Sequence, residues 1–352
     1  MSRTTPAAQN ESAEIMNASL FPDAAIEASL LDATRAMPLV LTPRAPLDPA
    51  HDARAWVRTH REALEAALLR HGAVLFRDFG LADPAAFEAF AETISPGLYG
   101  EYGDLPKKEG GRNTYRSTPY PEKQMILFHN ESAHQPHWPR RQFFFCEQPS
   151  PVGGATPIVD CRAMLRVLHE ALVEAFERRQ IMYVRTFTRG LDVPWREFFH
   201  TDDRREVETR CEAAGVQYEW LANDELQTRT VCPAVIAHPR TGERAFFNQV
   251  QLHHVSCLDE DVRLDLLEFA GAKRMPRQAY FGDGGEIGDE AMAAIGAAYE
   301  RCAVRFAWRK GDAIMLDNML VAHARDPFSG PRKIVVAMSE LVARADVLAA
   351  TV

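Results

Sequence analysis

The pair of side chains in His129-Asn130-Glu131, together with His323 far downstream, constrains this chain more than any other feature. Residues two apart on a β-strand point to the same face, so an extended segment lets His129 and Glu131 hold one metal ion. Two histidines and one carboxylate form the facial triad of non-haem Fe(II) oxygenases, which leaves coordination positions open for a co-substrate and O2. The pattern therefore predicts an Fe(II) site at His129, Glu131 and His323.

A second pair with the same spacing, His200-Thr201-Asp202, favours a different interpretation. Asp203 and Glu206 follow it at the spacing of a helix N-terminal cap. We therefore assign His200 and Asp202 to a helix start and not to a metal site. Four further histidines lie in a Pro-flanked loop or directly beside one another and are expected to be structural or exposed: His134, His137, His253 and His254.

Arg332 follows His323 by nine residues and predicts an anchor for a carboxylate. A dicarboxylate that chelates iron at one end needs a cation at its other end, and a guanidinium matches a carboxylate with two parallel hydrogen bonds. Thr156, after Gly153-Gly154, can add a hydroxyl to the same carboxylate. We expect Arg332, with Thr156 beside it, to bind the distal carboxylate of such a dicarboxylate co-substrate.

Strand-like segments flank the motifs, and helix-like segments lie between them. Strands are predicted at 38–42, 73–76, 142–146, 157–159, 304–308, 313–316 and 333–339, and helices at 52–70, 84–94, 160–176, 259–270 and 288–302. This order predicts a mainly β fold with flanking helices (α+β), and a jelly roll suits a metal site built from several strands. We expect a partly ordered N-terminal arm over 1–37 and a single oxygenase domain over 38–352, with helical insertions at about 160–302.

Charge and cysteine content narrow the partners and the compartment. A net charge of −9 gives no general basic surface for nucleic acid. No apolar run approaches the roughly 18 residues that a membrane span needs, and no signal peptide is visible, so we expect no membrane partner. The six cysteines are scattered without a C-x-x-C pair, which indicates free thiols in a reducing cytoplasm.

Taken in order, these motifs resemble the taurine dioxygenase/clavaminate synthase (TauD/TfdA) superfamily of Fe(II)/2-oxoglutarate oxygenases over roughly residues 38–342. The resemblance is nearest to the branch that contains the aspartyl hydroxylase of syringomycin biosynthesis. The segments that carry it are His71–Arg77, Ser117–Pro121, His129–Glu131, Trp138–Pro139, Gly153–Pro157, His238–Glu243, Phe247–Gln249, Gly311–Asp312, Asp317–Asn318, His323 and Gly330–Arg332.

The resemblance implies a double-stranded β-helix, the jelly roll with a cupin-like core. It implies Fe(II) at His129, Glu131 and His323, 2-oxoglutarate at Thr156 and Arg332, and O2 as the oxidant. The activity it implies is hydroxylation of an amino acid or an amino-acid derivative in secondary metabolism such as antibiotic biosynthesis. The substrate is either free or presented by a peptidyl carrier protein, and the oligomeric state is not predicted.

Two departures from the superfamily's pattern matter. The carboxylate is Glu131 where most members have aspartate, and its presence argues against halogenation, since related halogenases lack that carboxylate. Several members also place a substrate-binding arginine four residues beyond the co-substrate arginine, a position that is Val336 here. A taurine-like sulfonate substrate is therefore not expected.

Substrate recognition is expected in the aperiodic loop 97–122 and in 181–230, because loops over a rigid scaffold carry specificity. Tyr115, Arg116 and Trp220 are candidate pocket residues. The loop 97–122 is also expected to close over the site and exclude water. Three alternatives stay open: a non-redox metal enzyme, a metal-free binding module on the same barrel, and an oxygenase that gives desaturation or cyclisation.

Overall fold

A computed structural model of the chain describes residue 21 and residues 25–47, 52–99, 113–116 and 120–349. Most of the predicted arm over 1–37 and most of the predicted cover over 97–122 lie outside the described residues. The closing of that cover stays a prediction.

The described residues contain eleven α-helices and eighteen strands. The helices are α1 (Asp52–Thr59), α2 (Arg61–His71), α3 (Pro84–Ile94), α4 (Cys161–Val167), α5 (Glu170–Arg179), α6 (Trp195–Phe199), α7 (Arg204–Ala213), α8 (Val250–His253), α9 (Glu260–Ala270), α10 (Asp289–Cys302) and α11 (Arg344–Ala349). The strands are β1 (Ile26–Asp32), β2 (Met37–Pro43), β3 (Ala73–Phe76), β4 (Tyr115–Arg116), β5 (Ile126–His129), β6 (His137–Gln148), β7 (Val152–Gly153), β8 (Ile158–Asp160), β9 (Ile181–Phe187), β10 (Gln217–Trp220), β11 (Leu226–Cys232), β12 (Val235–Ala237), β13 (Arg244–Phe246), β14 (Arg277–Phe281), β15 (Ala313–Asp317), β16 (Val321–Arg325), β17 (Phe328–Ser329) and β18 (Lys333–Ala343).

The first of two compact units comprises Met1–Ile126, Pro139–Asp160 and Ala303–Leu341. Its seven-stranded sheet has the order β1-β2-β3-β15-β6-β18-β4. Strand β15 pairs antiparallel with β3 on one side and with β6 on the other. All five of its residues are buried, as expected for a central strand covered on both faces.

Helix α3 covers a phenylalanine-rich core in this unit. The helix begins as the sequence predicts, because Asp83 accepts hydrogen bonds from the backbone N–H groups of Ala85 and Ala86 and Pro84 takes the first position. Phe87 of α3 stacks on Phe145 of β6, with ring centroids 5.0 Å apart. Burying a side chain of this size stabilises the fold by about 1.5–3 kcal/mol.

The second unit comprises Leu127–Trp138, Cys161–Cys302 and Val342–Val352. Its four-stranded sheet has the order β10-β11-β9-β14, and each neighbouring pair is antiparallel. A smaller apolar cluster in this unit contains Trp195, Val207, Phe187 and Leu226. The predicted single domain over 38–352 stays a prediction.

The predicted class, mainly β with flanking helices, is confirmed, and three local predictions are wrong. The helix predicted over 52–70 breaks at His60, whose ring stacks on Trp56 with centroids 4.4 Å apart. The helix predicted over 160–176 is two helices, and His169 caps the second. Only an isolated bridge at Val304 replaces the strand predicted over 304–308.

Strand β1 lies inside the predicted partly ordered arm and pairs antiparallel with β2. The arm itself stays a prediction. The alternation of Ile26, Ala28 and Leu30 with polar residues is short, and the residues before it are mainly polar, so the sequence gives only a weak signal for this strand. No helix among the described residues is long and apolar enough to cross a membrane.

Candidate functional site

The structure brings the three predicted metal ligands together. His129, Glu131 and His323 each offer one ligand atom, and these atoms all lie within 4.8 Å of one another. Two donors that bind one divalent metal at roughly 2.0–2.2 Å each lie at most about 4.4 Å apart, so the three atoms need only small side-chain movements to share one ion. Two imidazoles and one carboxylate are a donor set that suits Fe(II). The residues present therefore fit the predicted metal.

Local structure around the first two ligands differs in part from the prediction. Strand β5 ends at His129, so Glu131 lies in the turn that follows and not on the strand. Ser132, the next residue, has a left-handed φ of 59°. The turn is closed by a hydrogen bond from the Ala133 N–H to the Asn130 carbonyl oxygen, 3.3 Å long. Both side chains still reach one site, but the backbone that directs Glu131 is a turn.

A backbone carbonyl fixes the tautomer of His129. Its Nδ1 lies 2.8 Å from the carbonyl oxygen of Leu127, which only accepts hydrogen bonds. The ring proton therefore belongs on Nδ1, and Nε2 is the nitrogen whose lone pair can bind a metal.

His323 lies on β16, a strand whose five residues are all buried. The strand starts after a turn in which Asp317 accepts from the Met319 N–H at 3.0 Å and the Asn318 side chain donates to the Pro139 carbonyl at 2.8 Å. Asp317 and Asn318 are fully buried. The Asp-Asn pair in the sequence thus forms the turn that sets the register of β16 and hence the position of His323.

The predicted co-substrate residues lie in contact with each other. Arg332 Nε donates to the carbonyl oxygen of Gly154 at 2.9 Å, and Arg332 NH2 donates to Thr156 Oγ1 at 3.3 Å. Gly154 has φ +73°, and a Cβ there would lie 3.0 Å from Arg332 Cδ. Only glycine fits this close approach comfortably.

Trp308, which the sequence did not single out, donates its Nε1–H to the same Thr156 oxygen at 3.0 Å. A threonine hydroxyl has two acceptor lone pairs and one donor proton. Because Trp308 and Arg332 occupy both lone pairs, the Thr156 proton is left to donate to a third group. A carboxylate beside Arg332 would be such an acceptor.

Electrostatics also favour an anion beside Arg332. Burial, and then the charge of Arg325, lower the pKa of Arg332 to about 10. In the described part of the chain Arg332 makes no ion pair. A half-buried cation without a countercharge is costly, so a bound carboxylate would relieve that cost.

Arg325 is a further residue that the sequence analysis missed. It is 6% exposed, and it donates to the carbonyl oxygens of Tyr120, Pro121 and Gln124 at 3.0, 2.7 and 2.7 Å. The signal for it was its spacing of two residues from His323, which places both side chains on one face of β16.

The candidate substrate residues are not brought together by the described contacts. Trp220 packs against Trp195, with ring centroids 5.1 Å apart, and its Nε1–H donates to Glu208 at 2.7 Å. Both its apolar face and its polar edge are thus engaged within the smaller apolar cluster. Tyr115 and Arg116 form β4, but their side chains lie outside what the structure describes. The substrate role of all three stays a prediction.

The interpretation of the second pair as a helix start is confirmed. His200 ends α6 in a left-handed conformation, and the Asp203 side chain caps α7 by accepting from the Arg205 N–H at 2.8 Å. Among the other histidines, the rings of His134 and His253 contact each other at a tilt of 52° with centroids 5.1 Å apart, and the His254 ring lies 2.9 Å from the Ile287 carbonyl oxygen. They are structural, and His137 is exposed.

Comparison with known proteins places the chain among oxygenases. The family model described as taurine catabolism dioxygenase TauD, TfdA family matches residues 42–338. The dapdiamide synthesis protein DdaC of Enterobacter agglomerans is 35% identical over 280 residues, which cover 79% of this chain and 85% of that protein. A clavaminate synthase-like protein of Arabidopsis thaliana is 27% identical over 297 residues, covering 80% and 86%.

Solved structures with a similar fold belong to the same group. PvcB of Pseudomonas aeruginosa aligns with a TM-score of 0.51 at 16% identity, covering 90% of this chain and 91% of that chain. A taurine dioxygenase of Burkholderia xenovorans aligns with a TM-score of 0.51 at 17% identity, covering 91% and 94%. The fold is thus the jelly roll that the sequence predicts.

Proposed function

Because the chain belongs to the taurine catabolism dioxygenase TauD, TfdA family and is a 2-oxoglutarate-dependent dioxygenase, we propose that it hydroxylates an unactivated C–H bond of an amino acid or amino-acid-derived small molecule. The observation that carries the proposal is the approach of the His129, Glu131 and His323 ligand atoms to within 4.8 Å of one another. The contact of Arg332 and Trp308 with the Thr156 hydroxyl supports it from the co-substrate side.

In this proposal His129, Glu131 and His323 hold Fe(II), and Arg332 and Thr156 bind the distal carboxylate of 2-oxoglutarate. Fe(II) with bound 2-oxoglutarate supplies the oxidising chemistry, in which O2 delivers one oxygen atom to the substrate and one to succinate while CO2 is released. The chain's own residues position the metal ligands and the co-substrate. The Leu127 carbonyl keeps the His129 proton on Nδ1, and Trp308 directs the Thr156 proton towards the carboxylate.

The substrate class rests on two observations. DdaC is named for the synthesis of dapdiamide, and we infer that this chain likewise acts in the biosynthesis of a secondary metabolite. Val336 is 3% exposed and apolar, so an anionic group of the substrate is held elsewhere or is absent. We propose a small-molecule substrate, free or presented by a peptidyl carrier protein. The six free cysteines support work in a reducing cytoplasm.

The test is a screen of free and carrier-bound amino acids with the anaerobically reconstituted protein. The expected result is succinate formation that requires Fe(II), 2-oxoglutarate and O2, together with a product heavier by one oxygen atom. A product lighter by two hydrogen atoms indicates desaturation or cyclisation.

Three outcomes contradict the proposal. Turnover without 2-oxoglutarate and O2 would indicate a non-redox metal enzyme. Ligand binding without metal affinity would indicate a metal-free binding module. Absence of succinate with every substrate, when Fe(II) and 2-oxoglutarate are bound, would remove the oxygenase assignment.

A further inference from the structure

Asn130, the residue between the two proposed ligands His129 and Glu131, is fully buried and is held by Asn248 and Gln249. The Asn130 N–H donates to the Asn248 carbonyl at 3.1 Å, and the Asn248 N–H donates to Asn130 Oδ1 at 3.1 Å. The Gln249 side-chain Nε2 donates to the Asn130 carbonyl at 2.9 Å. We call these three residues the Asn130 clamp.

The backbone of Gln249 is held by contacts with two other side chains. Its backbone N–H donates to the Tyr183 hydroxyl at 2.9 Å, and its carbonyl lies 3.1 Å from His253 Nδ1. The rings of Tyr183 and His253 contact each other with centroids 4.8 Å apart. Gln249 is 5% exposed. These contacts hold the backbone of Gln249, from which its side-chain amide reaches the Asn130 carbonyl.

The clamp acts on both peptide planes that flank Asn130. The N–H of Asn130 belongs to the planar unit that follows His129, and its carbonyl belongs to the planar unit that precedes Glu131. Fixing both planes fixes the directions in which the His129 and Glu131 side chains leave the backbone. Strand pairing does not fix the direction of Glu131, because β5 ends at His129 and Glu131 lies in the turn that follows.

We infer that Gln249 is a positioning residue that aims His129 and Glu131 at the metal through the backbone of Asn130. The inference rests on the proposed function, since it takes both side chains to be metal ligands. Outer partners that orient ligands typically change metal affinity by about 10- to 100-fold. Loss of the Gln249 donor falls in that class.

The experiment compares two glutamine-to-methionine variants, which keep the side-chain length and remove the amide. Gln249→Met removes the donor to Asn130. Gln227→Met is the matched control, because Gln227 is 6% exposed and its Nε2 donates to Thr186 Oγ1 and to the Lys273 carbonyl, both at 3.0 Å. Co(II) affinity is measured by calorimetry without O2, and the visible Co(II) spectrum reports ligand geometry.

Gln249→Met is expected to bind Co(II) about 10-fold more weakly, with a changed spectrum. Gln227→Met is expected to keep the wild-type affinity and spectrum while its melting temperature falls by a similar amount. Wild-type affinity and spectrum in Gln249→Met would overturn the inference, and so would an equal loss of affinity in Gln227→Met.

If Gln249→Met does not fold by circular dichroism, Gln249→Glu takes its place with the same two readings, because a carboxylate keeps the side-chain shape and has no N–H to donate to the Asn130 carbonyl. Measurements on the wild-type protein distinguish failure of the proposed function from failure of the inference about Gln249. Failure of the wild type to bind Co(II) removes the proposed function, whereas wild-type binding that His129→Ala abolishes keeps the metal assignment and leaves the clamp to be judged by Gln249→Met.

Discussion

Two segments of this chain carry a histidine and an acid two residues apart, and the structure treats them in opposite ways. His129 is 8% exposed and ends a strand, and the residue after it is fully buried. His200 is exposed and ends a short helix with φ 52°, and the Asp202 side chain is 91% exposed beside Arg196. The spacing is identical, so spacing alone does not make a metal site.

What separates the two pairs is the support beneath them. The Asn130 clamp gives the first pair a buried polar frame, in which three hydrogen bonds join Asn130 to Asn248 and Gln249. The second pair faces water, where an exposed ion pair such as Arg196 with Asp202 contributes little. A ligand pair needs side chains held in place before the metal arrives, and only the first pair has that preparation.

The largest expected effect is on metal binding. His129→Ala should lower Co(II) affinity by more than the roughly 10- to 100-fold that loss of an outer partner costs, and should abolish turnover, because one of three ligands is gone. His200→Ala, the matched change in the second pair, should leave both unchanged. Calorimetry without O2 and succinate formation are the measurements. An equal loss in His200→Ala would break the comparison.

The second expected effect is on binding of 2-oxoglutarate, and it compares the adjacent residues Arg332 and Lys333. Arg332→Ala should raise the dissociation constant for 2-oxoglutarate by about 100-fold, since hydrogen bonds to charged groups contribute about 1.5–3 kcal/mol each. Lys333, the residue after Arg332, is exposed, and adjacent side chains of an extended segment point to opposite faces. Lys333→Ala should therefore change the dissociation constant for 2-oxoglutarate little. Titration of the Co(II)-loaded protein without O2 measures both.

The reverse ranking would move the carboxylate anchor to Lys333. Co(II) affinity in the absence of 2-oxoglutarate should stay at the wild-type value in both variants. A loss of Co(II) affinity in Arg332→Ala would mean that the arginine supports the metal ligands as well.

A third effect concerns acid sensitivity near the first pair. Burial, and then the charges of Arg277 and Arg185, lower the pKa of His134 from 6.5 to about 3. Between those values the unfolded chain binds a proton that the folded chain does not, so the free energy of unfolding falls as the pH falls below 6.5. His134→Phe should make this fall shallower between about pH 6 and 4.

The control for that effect is His200→Phe, which changes an exposed histidine in the second segment. Urea unfolding of the metal-free protein at several pH values measures both variants. A His134→Phe protein with the wild-type pH dependence would show that His134 binds its proton equally in the folded and unfolded states.

The elements that the sequence predicted well are those set by local chemistry. The cap at Asp83, the proline at the start of α3 and the left-handed Gly72 that ends α2 each follow from neighbouring residues. Strand 304–308 failed because its partner is not local: Trp308 bonds the Thr156 side chain instead of a neighbouring strand.

The candidate site divides in the same way. The approach of His129, Glu131 and His323 to one another, and the contact between Arg332 and Thr156, could be predicted because the proposed chemistry demands particular residue types. The Asn130 clamp was not, since Gln249 lies 119 residues from Asn130 in the chain and acts through a backbone carbonyl. Nothing in the local sequence of Phe247–Gln249 states which peptide it holds.

The smallest expected effect is on the free energy of unfolding, and it concerns the helix cap beside the second pair. Asp203→Ala should lower the free energy of unfolding by about 1 kcal/mol, because the side chain that accepts from the Arg205 N–H is lost. Co(II) affinity should stay at the wild-type value. Asp202→Ala, one residue earlier and 91% exposed, should change stability by less than about 0.5 kcal/mol. Urea unfolding distinguishes the two, and a larger loss in Asp202→Ala would mean that the acid of the second pair, and not its neighbour, organises this turn.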